Sequence, residues 1–123
     1  MTMTSEHQQV DAVDAFTAAA RNLSAGADDV AQPSSTYDML AALAAAQLEQ
    51  AVIYQKLAAW HSQAQLGVDY DGEDERSDPE APALPEVVRL LSEAAEEARL
   101  TANYLRHAQT ANGIIVWRDE PPA

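Results

Sequence analysis

Between Thr36 and Gln65 the chain carries a helical pattern with a narrow polar stripe, and this limits the available folds more than any other feature. On a wheel at ~100° per residue, Glu49, Lys56 and Gln63 cluster on one side. Leu40, Leu43, Leu48, Val52, Ile53, Tyr54, Leu57 and Trp60 spread around most of the remainder. A helix apolar over most of its circumference is buried on several sides, and one antiparallel neighbour does not cover that much. Ser34, Ser35 or Thr36 can cap it, and Asp38 lies in the first turn, where the helix dipole favours an anion.

A second long helix is expected from Pro85, well placed as a first helical residue, to about Thr110, with Asn112-Gly113 as its stop. Val87, Leu91, Ala94, Ala98, Thr101 and Leu105 form a narrow stripe at heptad-like spacing, flanked by Leu90 and Ala102. Arg89, Glu93, Glu96, Asn103 and His107 form the wet face. Residues 67–83 separate the two helices, with seven acids and one arginine between Asp69 and Glu80, then Pro82 beyond Pro79. Self-repulsion and proline predict an extended, mobile loop there. Two helices of comparable length joined by such a loop form an antiparallel hairpin.

Upstream, Val10, Val13, Phe16, Ala20 and Leu23 recur at three- and four-residue steps and predict a short amphipathic helix within residues 1–23. Ser5 and Gln8 read as its capping box, and residues 24–35 as a linker. Downstream, Ile114 to Trp117 reads as a short strand or an apolar tail folding back, and residues 118–123 as a frayed end. The expected organisation is therefore a short helix and linker (1–35), a helical hairpin with an acidic loop and an apolar end (36–117), and the tail.

The fold class is all-α. The second helix offers one apolar stripe while the first offers nearly all its surface. Two hairpins packed face to face, a homodimeric four-helix bundle, resolve the mismatch. Docking of the N-terminal helix is the competing solution. The residues expected to exclude water across the assembly seam are Leu40, Leu43, Ile53, Leu57 and Leu91. Composition points the same way. Of 123 residues 47% are hydrophobic, but much of that is alanine, which buries little area at roughly 25 cal/mol per Å². Small domains with thin cores borrow surface from a partner.

The charge balance, 20 acids against 7 Lys plus Arg for a net of −13, disfavours direct binding to nucleic acid or an anionic membrane surface. Basic protein partners and cations are favoured. The absence of cysteine excludes disulfides, thiolate metal sites and a cysteine nucleophile. MTMTSEHQQV has neither a basic n-region nor an apolar h-region, and no stretch approaches ~18 uncharged apolar residues, so the expected location is the cytoplasm. One lysine against six arginines, with abundant alanine, suggests a GC-rich genome such as that of an actinobacterium or its phage.

Candidate chemistry is sparse. Asp69, Asp71, Glu73, Glu75 and Glu80 fall at positions 1, 3, 5, 7 and 12 of a notional calcium loop, but Asp74 replaces the glycine of the sharp turn and Pro79 interrupts the second half. The loop acids Asp69, Asp71, Glu73, Asp74, Glu75, Asp78 and Glu80 read instead as a solvated, flexible loop, with a surface for a basic partner as its alternative role. No Glu-x-x-His pair of the carboxylate-bridged bundles occurs. His61, beside Trp60, is suited to the carbonyls at a helix end and has no nucleophile or acid partner at a recognisable spacing. Phosphate-binding glycine motifs are absent, and neither a cofactor nor a metal is expected.

Within residues 10–30 the run VDAFTAAARNLSAGADDV resembles the first helix of the small helical-hairpin proteins exported by actinobacterial type VII secretion. That resemblance implies a helical hairpin and a signal-less export route. The family's Trp-x-Gly turn is absent, since His61-Ser62 follow Trp60 and Arg118-Asp119 follow Trp117, and its Tyr-x-x-x-acid signal is matched only by Tyr70 and Asp74 in the loop. The leading expectation is a non-catalytic helical interaction or assembly module. Its alternatives are an acidic, phage-type inhibitor of a basic nucleic-acid-binding protein, a type VII-like secreted hairpin, and a small metal-binding bundle enzyme with His61 and Glu49 as candidates.

Overall fold

The computed structural model describes residues 5–30 and 32–120, with side chains described from residue 7 onward. The capping box expected at Ser5 therefore rests on a side chain outside the described residues, as do residue 31 of the linker and 121–123 of the tail. Among the described residues the chain is all-helical and holds no strand. It comprises α1 (Ser5–Gly26), a 3-10 turn (Pro33–Ser35), α2 (Thr36–Gln63) and α3 (Ala83–Asn112). Two compact units result: the hairpin, Ser35–Val116, and a second made of α1, the segment through Ser34 and the residues from Trp117 on.

In the hairpin, α2 and α3 pack antiparallel. The side-chain amide of Asn112, the last residue of α3, donates to Thr36 Oγ1, at the first residue of α2, at 2.8 Å. At the other end His61 and Leu84 line common grooves. The packing surface of α2 is Leu40, Ala44, Gln47, Ala51, Tyr54, Ala58 and His61, all buried or half-buried. That of α3 is Leu84, Val88, Leu91, Ala95, Ala98, Ala102, Leu105, Gln109 and Asn112, likewise. Both sets step by four and three residues in alternation, the repeat of a coiled-coil seam. Alanines occupy its centre: Ala44, Ala51 and Ala58 on one helix, Ala95, Ala98 and Ala102 on the other. Methyl groups thus form the centre of the contact, and among the described residues no large side chain is fully buried.

The frame of α3 differs from the expected stripe. Leu91, Ala98 and Leu105 face α2 as expected, but Ala95 and Ala102 are the buried partners, while Thr101 is exposed and Val87 and Ala94 are only half-buried. A seven-residue pattern of small apolar residues fits two neighbouring frames, and the alanines of α2 select the one that brings methyl against methyl.

The loop also departs from expectation. It is a chain of hydrogen-bonded turns, not an extended segment. The Gly67 N–H donates to the Tyr70 carbonyl at 2.7 Å with Gly67 at a φ of +84°, a left-handed conformation that favours glycine. Isolated bridges join Leu66 to Tyr70 and Asp78 to Ala81. Carboxylates that accept local backbone N–H groups stabilise turns, and here those bonds offset the like-charge repulsion. After α3, the residues expected as a strand or a returning tail form a turn at Gly113 and Ile114 and then irregular chain.

In the other unit, α1 spans 22 residues and shows the expected face, with Val10, Val13, Phe16 and Leu23 all exposed. The run resembling secreted hairpin proteins thus lies in α1 and the residues after it. Asp119, in the segment expected to fray, accepts from the Ser34 N–H at 2.8 Å and hydroxyl at 2.6 Å. These bonds hold its carboxyl below the usual range, the hydroxyl contributing most.

Candidate functional site

The packing of α2 on α3 leaves a second seam on α2. Met39, Leu43, Ala46, Gln50, Ile53, Leu57 and Trp60 follow the same four-three alternation, displaced around the helix from the alanine seam. Met39, Leu43 and Gln50 are half-buried, whereas Ile53 is 50% exposed, Leu57 44% and Trp60 56%. The matching flank of α3 carries Val87, Leu90, Ala94, Thr101 and Tyr104, with Glu97 as its one charge.

These two flanks lie on the same side of the hairpin. Equivalent flanking positions adjoin in an antiparallel coiled coil, and the groove at the loop end is lined by Trp60 and Ala64 from α2 and its cap together with Ala83, Leu84 and Val87 from α3. The opposite side is mixed: Leu48 of α2 shares a groove with Leu100 and Ala102 as well as with Glu96, Arg99 and Arg106. One broad face of the hairpin is thus mainly apolar, with Gln50 and Glu97 as its polar exceptions, and the other mixes apolar and charged residues.

The five residues expected at an assembly seam therefore divide. Leu43, Ile53 and Leu57 lie on the outward seam, while Leu40 and Leu91 belong to the α2–α3 contact. Sequence periodicity located the apolar residues but did not separate two parallel seams on one helix. The polar stripe of Glu49, Lys56 and Gln63 is exposed, as expected.

The acids of the loop fall into structural and outward-facing groups. Glu73 accepts from the Ala83 N–H at 2.8 and 3.0 Å, from the Leu84 N–H at 3.3 Å and from the Ser77 hydroxyl at 2.7 Å. It satisfies the first free donors of α3 from ten residues upstream, which accounts for the helix starting at Ala83 and not at Pro85. The Ala83 N–H, then the Ser77 hydroxyl, hold its carboxyl below the usual range. Asp69 accepts from the Gln65 N–H, Asp78 from the Glu80 N–H, and Asp74 pairs with Arg76 at 2.5 Å, which lowers the Asp74 pKa. All seven of these acids are exposed, and Asp71, Glu75 and Glu80 accept none of these bonds. Charge counting does not distinguish a capping carboxylate from a solvated one.

The lowered pKa of Glu73 carries a sign. Its stabilising contribution is fully present above the unfolded value of 4.5 and is lost as pH falls through the lower folded value. Glu73→Gln is expected to lower the melting temperature near neutral pH, with the gap to the parent protein closing as pH drops below 4.5. A gap independent of pH would assign the loss to geometry and not to the charge.

His61 occupies the loop end of the alanine seam. Its Nδ1–H donates to the Leu57 carbonyl at 2.6 Å, and its ring meets Trp60 edge-on at 4.9 Å. The acceptor lies one turn back within α2 and is not one of the free carbonyls of the helix end expected for it. Among the described residues no three His, Asp or Glu side chains are grouped to share a metal ion, and no helix is long and apolar enough to cross a membrane.

No protein-family model, curated protein or solved structure matches the chain.

Proposed function

We propose that the protein is a helical assembly module that pairs with a second copy of itself through the outward seam of α2, the two hairpins forming a four-helix bundle. The observation that carries this reading is the second four-three repeat, complete from Met39 to Trp60 and half-exposed where its side chains are largest. A repeat of that spacing fits another helix and not a flat surface or a small molecule.

The seam also suits its own copy. Bulky residues stand at both ends, Met39 and Leu43 against Ile53, Leu57 and Trp60, with Ala46 and Gln50 between them. An isologous contact uses the same patch on both copies, and bulky residues at both ends let the seam meet itself. The stripe of α1, from Val10 to Leu23, runs about 20 Å, against about 32 Å for the seam, so one α1 is too short to cover it.

The test is the molar mass by light scattering across a dilution series. A mass of twice 13.3 kDa that persists to low concentration is expected. A monomer at every concentration overturns self-assembly.

A further inference from the structure

We infer that, in the dimer just proposed, the two copies run in opposite directions and each inserts its Ile114–Val116 segment into the loop-end groove of the other. The inference rests on that dimer reading and adds its orientation and a second contact site.

Two apolar features of the hairpin have no counterpart within it. One is the groove between Trp60, Ala64, Leu84 and Val87, which Asp69, Tyr70 and Glu73 of the acidic loop also line. The other is the run Ile114-Ile115-Val116 just past α3, with exposures of 80%, 50% and 96%. The Asn112–Thr36 hydrogen bond fixes this run at the open end of the hairpin, as does the Tyr37 ring, 3.1 Å from where a Cβ on Gly113 would lie. Groove and run are therefore a helix length apart, about 42 Å for the 28 residues of α2. Within one chain they do not meet.

A two-fold axis across the hairpin brings them together. It sets the loop end of each copy beside the open end of the other, in line with the α2 seam that reaches the groove at Trp60. Charge selects the same arrangement. Seven acids and one arginine between Asp69 and Glu80 give each loop a net of −6. Copies aligned loop to loop would hold two such clusters side by side, whereas opposed copies keep them several Debye lengths (~8–10 Å) apart.

Because the chain lacks cysteine, the orientation is open to direct measurement. Ala64→Cys lies at the groove and Val116→Cys on the run. The two single variants, mixed and treated with a short bismaleimide, are expected to give the 64–116 conjugate as the main product, with little 64–64 conjugate from Ala64→Cys alone. In parallel, Ile115→Asn with Val116→Asn is expected to weaken the dimer about tenfold. A predominant 64–64 product, or no conjugate while light scattering still reports a dimer, overturns the inference and leaves the dimer standing. A monomeric parent protein removes both.

Discussion

Ile53→Asp is expected to yield a monomer that keeps its helices. Ile53 is 50% exposed on the hairpin, so the remainder that a second copy would cover is worth about 1–1.5 kcal/mol per chain. An unpaired carboxylate left in that contact costs several kcal/mol more. Because each copy supplies one such residue, the loss exceeds about 4 kcal/mol per dimer, a rise of roughly a thousandfold or more in the dissociation constant. Light scattering would read half the mass, and far-UV circular dichroism an unchanged helix signal, since Ile53 takes no part in the α2–α3 seam. Unchanged mass would remove the outward seam from the interface. Loss of mass and helix together would show that the hairpin depends on its second copy to fold.

Two residues upstream the expectation reverses. Ala51 is 1% exposed, against Ala95 and Ala98, with Tyr54 packed on the cluster. Ala51→Asp places a carboxylate in the buried α2–α3 seam, with no cation among the residues of that cluster. An uncompensated buried charge costs about 3–5 kcal/mol, a large share of the stability of a small domain. A fall in melting temperature of at least about 15 °C is expected, with helix content lost at lower temperature than in Ile53→Asp. Val52→Asp, at a 40% exposed position between them, is the control and should change little. Equal melting temperatures for Ala51→Asp and Val52→Asp would contradict the alanine seam.

This contrast also shows how far the fold is legible in the sequence. The helices, the reversal between them and the polar stripe of Glu49, Lys56 and Gln63 follow from periodicity. The inward side of α2 does not, because a hydrophobicity pattern gives weight to Leu, Ile and Trp, and the side that packs on α3 is marked by alanine. What decides there is backbone approach, a property of the pair and not of either helix. The frame of α3 was ambiguous for the same reason, with Thr101 and Ala102 equally compatible with a seven-residue repeat. In the loop, acid count suggested repulsion, whereas the position of Glu73 ten residues before the first free N–H of α3 makes it a cap. Sequence spacing does not signal a contact formed by tertiary closure of a loop.

A seam of interchangeable alanines has one inherent weakness. Sliding α3 along α2 by seven residues, about 10 Å, would again set methyl against methyl at much of the contact. Asn112 and Thr36 remove that freedom. Their hydrogen bond is directional and partly buried, and after such a slip the amide of Asn112 would face Leu43 instead of a hydroxyl. Polar residues within apolar seams are known to select one alignment at some cost in stability. The pair acts as a vernier for the hairpin: the alanines make the grip close, and one hydrogen bond decides where along the helix it closes.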